Sequence, residues 1–179
     1  MTGPARQRRR IAARVLDVRD RAQLHKVQVL IEAMDPWDRR EIDALRPAIG
    51  GVPLLAELAQ MHASTAHLEA WLLHPETGRA ADDWPVAYAG AWRVAPHLAS
   101  LAFFGQRRCR WYLPAIHDWL LARWQGFGAQ HDIRLGEVKV LACHPARRWL
   151  REAVFGEDMA ELPGIGRWGD DFVQMIWRM

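Results

Sequence analysis

Cysteine is nearly absent: Cys109 and Cys143 are the only two in the chain. That excludes a disulfide framework and a Cys-rich zinc site, and it fits a reducing compartment. Long apolar runs are missing too. No stretch approaches the roughly 20 apolar residues of a spanning helix, and IAARVLDV, after the basic start, is too short and too charged for a signal-peptide core. Neither membrane insertion nor secretion is expected. Lysine is scarce, with only Lys26 and Lys139 among 24 basic residues, a bias typical of GC-rich coding. The net charge is only +3, and much of it comes from Arg6, Arg8, Arg9 and Arg10. A nucleic-acid face on the folded part needs a larger, clustered excess. A solvated tail is the commoner meaning of the arginine run, and nucleic acid a weakly supported partner.

What is present suffices for one domain. The 179 residues are half apolar and a quarter charged, with ten Trp. Residues 1–11 read as a mobile basic arm and residues 12–179 as a single folded unit. Ala12–Val18 alternates as a strand. Asp20 and Gln23 resemble a capping box ahead of Leu24, Val27, Leu30, Ile31 and Met34 at helical spacing. Asp35-Pro36 restarts a helix that runs to about Leu45. Pro53 opens a third short helix, with Leu54, Leu55, Leu58 and Met61 on its buried side.

From His67 the pattern changes to strands. HLEAWLLH, WPVAYAGAWRV and HLASLAFFG read as three consecutive antiparallel strands joined by turns. In the second, Ala87, Ala89 and Ala91 share a face with Arg93, which predicts a helix packed closely there. FFGQRRCRWYLPAIHDWLLARW, Phe103–Trp124, then takes the chain from a strand through a basic loop into a Trp-rich helix that Gly126 and Gly128 should end. Leu135–Cys143 is a further strand. His144-Pro145 opens a helix closed by Gly156, and Met159–Ile165 with Phe172–Met179 forms a closing pair.

This order, together with two motifs, resembles the GNAT N-acetyltransferase superfamily, and within it the small GNAT-like proteins of tailed bacteriophages. In MDPWDRREIDAL, Pro36, Asp38 and Glu41 match the phage pattern. In VLACHPARRWLREAVFG, Arg148, Trp149, Leu150 and Gly156 match, while Cys143 stands where Asn is usual. The resemblance implies an α+β fold with a central mixed, mostly antiparallel sheet. It also implies an acyl-CoA site at Phe104, Gly105, Gln106, Arg107, Arg108, Cys109 and Arg110, where active members carry Q/R-x-x-G-x-G/A. Gln106 keeps that motif's start, whereas Cys109 and Trp111 stand at its two small positions. Leu150 stands where a Tyr general acid is frequent, and it has no proton to give.

The expectation is therefore a non-catalytic phage virion component or assembly factor, with no cofactor. Its partners would be other phage structural proteins, in the host cytoplasm or the virion. The alternative is an acetyl-CoA-dependent N-acetyltransferase with a degenerate pyrophosphate loop. No catalytic residue is assigned, Glu69, Asp82 and Asp83 being base candidates by nearness in the topology alone. Asp38 and Glu41 are explained by a helix N-terminus that favours negative charge. Cys143-His144 reads as a buried thiol beside a helix N-cap. His62, His67 and His74 lack the spacing of metal ligands. Trp37, Trp84, Trp111 and Trp168 fall at element ends or loops, where an aromatic anchors a partner or covers an edge.

Overall fold

The computed structural model describes residues 9–45, 54–76, 83–145, 147–152, 159–166 and 169–179. The turn through Asp82, Gly156, Trp168 and the side chain of Trp149 lie outside the described residues. Three helices, α1 (Arg21–Glu32), α2 (Pro36–Leu45) and α3 (Leu54–Ser64), follow β1 (Ile11–Val15). The chain then makes β2 (Leu68–Pro75), β3 (Ala87–Ala95) and β4 (Leu98–Gly105). A 3-10 turn, Arg107–Trp111, leads into α4 (Leu113–His131). After these come β5 (Leu135–Leu141), the short α5 (Arg147–Leu150), β6 (Met159–Leu162) and β7 (Phe172–Arg178).

The strands form one seven-stranded sheet in the order β1-β2-β3-β4-β5-β7-β6. Every neighbouring pair is antiparallel except β4–β5. The α+β, mostly antiparallel architecture expected from the sequence is the one observed. Among the described residues no helix is long and apolar enough to cross a membrane.

Alternation along the strands sends side chains to two cores. Ala87, Ala89, Ala91, Ala99 and Leu101 face α4, whose Ile116, Leu120, Trp124 and Phe127 are buried against them. The small alanines let that helix lie close, as the pattern predicts. On the other face Leu72, Tyr88 and Phe104 meet Val27, Leu30 and Ile31 of α1 and Leu58 of α3. Asp20 caps α1 through its carboxylate, which accepts from Ala22 N at 2.8 Å; Gln23 turns back to accept from Asp17 N at 2.9 Å.

The helix after the basic turn does not stop at Gly126. It continues to His131 and ends on Asp132 in the left-handed region at φ 51°. Gly128 serves close approach, since a Cβ there would meet Ile133 O and Met179 Cβ at 2.9 Å.

The feature that positions the site is a short parallel ladder. β4 and β5 pair only from Leu98↔Leu135 to Ser100↔Glu137. Beyond it, Leu101–Gly105 and Val138–Leu141 continue on their outer partners, β3 and β7, without pairing to each other. The sheet thus opens into a fissure whose walls end at Gly105 and Leu141.

Candidate functional site

The end of α1 is stitched to the end of β4. Met34 bridges Gln106, and Asp35 N donates to Gly105 O at 2.9 Å. Asp35 in turn starts α2, its carboxylate accepting from Trp37 N at 3.0 Å ahead of Pro36, which needs no donor there. This anchoring aims the next two acids of α2 into the fissure. Residues three apart share a helix face, so Asp38 and Glu41 point the same way.

Each acid takes one wall. Asp38 Oδ2 accepts from Gly105 N at 2.8 Å, and Glu41 Oε2 accepts from Leu141 N at 2.8 Å. His144 Nε2 lies 3.2 Å from Asp38 Oδ1, and the ring of Trp37 meets the imidazole edge-on at 6.2 Å. Burial pushes the Glu41 carboxyl up to about 7; the charge of His144 and the Leu141 N–H bond pull it down, and Asp38 adds to the rise. For His144, burial disfavours the cation. The bond to Asp38 and the charges of Glu41, Asp38 and Asp35 outweigh that, and its pKa is raised. A carboxyl pushed up to about 7 and an imidazole whose pKa is raised therefore lie at the mouth of an open strand pair.

Two sequence-based readings are corrected here. Asp38 and Glu41 are more than helix-terminal charges, because their carboxylates close on backbone N–H groups of two distant strands. The ring of His144, beside the start of α5, lies against Asp38. Cys143 is exposed rather than buried, because β5 ends at Leu141 and a turn closed by His144 N to Leu141 O at 2.9 Å carries the thiol outward.

The residues expected to form an acyl-CoA site divide among three environments. Phe104 is buried on the α1 side, stacked on Tyr88 with ring centroids 4.8 Å apart. Gly105 lies at the fissure wall. Gln106 is tied back to the start of β3, its side chain donating to Pro85 O and its N–H to Val86 O, both at 2.9 Å. Cys109 turns inward, where burial pushes its thiol up to about 12 and its side chain fills the space beneath Gly105. Arg107 and Arg110 are exposed, and Arg108 Nη2 reaches Trp84 O at 3.4 Å.

The base candidates Glu69 and Asp83 stand elsewhere. Glu69 lies level with Ala91 and Leu101, paired to Arg123 at 2.8 Å. Asp83 holds Arg14 and Lys26. Trp37, Trp84 and Trp111 are among the exposed large apolar side chains, as expected for element ends.

No family model matches the chain, and neither does any curated relative. Solved structures do match. A probable acetyltransferase from Staphylococcus epidermidis superposes with a TM-score of 0.69 at 13% identity, over 94% of this chain and 99% of that one. The GNAT domain of S. lividans PAT matches with a TM-score of 0.60 at 13% identity, over 93% and 89%. The fold is that of the GNAT acetyltransferases. The spermidine N-acetyltransferase of Vibrio cholerae, in complex with CoA and spermine, shares it with a TM-score of 0.63 at 11% identity, over 94% and 95%. None of these three is a phage protein, so the phage and virion part of the sequence expectation gains nothing from them. In the GNAT frame the arginine turn is the link from β4 to the following helix, and the Asp38–His144–Glu41 group closes the splay between β4 and β5.

Proposed function

We propose that this protein is an acyl-CoA-dependent N-acyltransferase that acts in the β4–β5 fissure. The observation that carries the reading is Glu41, a carboxyl with a pKa of about 7 bonded to the very end of one fissure wall. A group of that pKa takes protons efficiently at neutral pH.

The chain's own groups suit an acyl-CoA. Gly105 turns its N–H and C=O toward α2, on the side away from β3, so by strand alternation Phe103 turns its own pair toward the fissure. That edge offers hydrogen bonds to an amide-bearing arm. Arg107, Arg108 and Arg110 stand at the fissure's end, and Arg108 Nε is buried with no hydrogen-bond partner among the described residues. Charge from these side chains takes over the role that small loop residues leave to backbone N–H groups. A bound thioester supplies an activated carbonyl and a thiol leaving group. Glu41 would accept the proton of the attacking amine. His144, oriented by Asp38, would return a proton at the leaving sulfur.

Turnover is testable as thiol release from acetyl-CoA with a panel of primary amines. The expected result is activity that rises with pH through about 7 and is lost in Glu41→Gln. Release that is absent with every amine, while the protein stays folded, would count against the enzyme.

A second reading has one observation in its favour. Asp35 and Asp38 already satisfy both backbone groups of Gly105. A GNAT-fold protein that works through protein contacts, such as a phage virion component, would have this closed wall. Co-purification with phage structural proteins, without acetyl-CoA binding, would support it.

A further inference from the structure

Arg9, two residues ahead of β1, lies against the arginine turn. Ile11 pairs with Pro75 at the end of β2, and Leu73, Ala87 and Gly105 lie level across the sheet. The chain therefore enters β1 at the same end of the sheet as the fissure mouth, and Glu76 N fixes it there by donating to Arg10 O at 3.0 Å. One residue earlier, the Arg9 guanidinium sits 5.1 Å from the centroid of Trp111 and 5.6 Å from that of Tyr112. Arg110 approaches the same indole at 5.8 Å.

Two guanidinium groups, from Arg9 and Arg110, thus approach an indole that is 52% exposed, and Arg107 and Arg108 belong to the same turn. Among the described residues none of the four has a carboxylate partner, although Arg14, Arg40 and Arg123 elsewhere do. Unneutralised arginines beside an exposed aromatic ring match a ligand that carries several phosphates and a heteroaromatic ring. The diphosphate alone does not account for an arginine reaching in from outside the turn.

We propose that Arg9 binds the 3′-phosphate of CoA, with Trp111 beside the adenine, so that the N-terminal arm sets a preference for CoA over 3′-dephospho-CoA. This rests on the acyl-CoA reading above and adds to it a residue from outside the turn. Arg9 carries charge to the outer end of the ligand, while the reacting carbonyl lies at the inner end of the fissure. Its loss should change affinity and leave the chemistry at Glu41 untouched.

The test is calorimetry of the full chain with acetyl-CoA and with acetyl-3′-dephospho-CoA, on wild type, Arg9→Ala and Arg9→Lys. Wild type is expected to bind acetyl-CoA about tenfold more tightly, the size of one charge-assisted phosphate contact. Arg9→Ala should bind the two thioesters equally, and Arg9→Lys should keep part of the preference. Equal binding by wild type, or a full preference retained in Arg9→Ala, overturns the role of Arg9 and leaves the acyl-CoA site standing. Failure of wild type to bind acetyl-CoA overturns the acyl-CoA site itself. Arg9 is exposed and ahead of the first strand, so unchanged circular dichroism is expected for both variants.

Discussion

The two sides of the fissure mouth are built on opposite principles. On the α2 side three acids are engaged: Asp35 caps its helix, Asp38 holds Gly105 and His144, and Glu41 holds Leu141. On the turn side Arg107 and Arg110 face solvent, and among the described residues the turn's arginines have no carboxylate partner and Arg108 Nε, buried, no hydrogen-bond partner. A saturated cluster ties elements together and tunes protons. An unsaturated cluster leaves binding capacity for a ligand. The α2 side should therefore answer to stability measurements and the turn side to binding measurements.

The largest stability effect is expected from Asp38→Ala. It strips the acceptor from Gly105 N–H and the counter-charge from His144, both poorly solvated, at a cost of about 3 kcal/mol. For a chain of this length that lowers the melting temperature by roughly 6 to 12 °C. A change inside the scatter of surface mutations would break the comparison. Gly105→Ala comes next. Its Cβ would meet Cys109 Cβ at 2.9 Å and Val86 O at 3.1 Å, and overpacking of that kind costs about 2 kcal/mol in urea unfolding.

Glu41→Gln sharpens the comparison through pH. The folded carboxyl holds its proton up to about 7, whereas the unfolded one releases it near 4.5. The folded state binds the proton more tightly, so this group's contribution is fully present below about 4.5 and is lost as pH rises to about 7. His144, raised above its ordinary 6.5, acts in the same direction at higher pH. His74 acts oppositely: burial lowers it to about 4, so its contribution is present above 6.5 and lost as pH falls toward 4. The wild-type curve mixes these, and its difference from Glu41→Gln isolates the Glu41 component, of order 3 kcal/mol between pH 4.5 and 7. A difference that is flat in pH would mean that Glu41 titrates normally. The smallest stability effect belongs to the triple variant Arg107→Ala, Arg108→Ala, Arg110→Ala, expected to lie within about 0.5 kcal/mol of wild type.

Local signals explain what could be read from the sequence. The Asp20 cap, the Ala87-Ala89-Ala91 face and the Asp35-Pro36 helix start each depend on residues a few positions apart, and the structure has all three. The helix end was misread at Gly128 because a glycine also serves close packing, and Gly128 lies against Met179 at the far end of the chain, while α4 runs through Gly126 with open space beside it. The acid cluster was misread for a related reason. Asp38 and Glu41 have an adequate local explanation at a helix N-terminus, while their partners Gly105 and Leu141 are remote in sequence. No helical or strand period links such positions. The one available signal was their place in the Pro36, Asp38, Glu41 motif. Cys109 shows the same limit, since the resemblance placed it in a phosphate loop and only packing shows its side chain beneath Gly105.

The most direct test of the central claim is the shift in melting temperature with acetyl-CoA. A ligand that binds only the folded chain must raise it, by an amount that grows with ligand concentration. The account predicts a saturable rise in wild type that is absent from the equally stable Arg107→Ala, Arg108→Ala, Arg110→Ala variant. No rise in wild type, or the same rise in both, would contradict it.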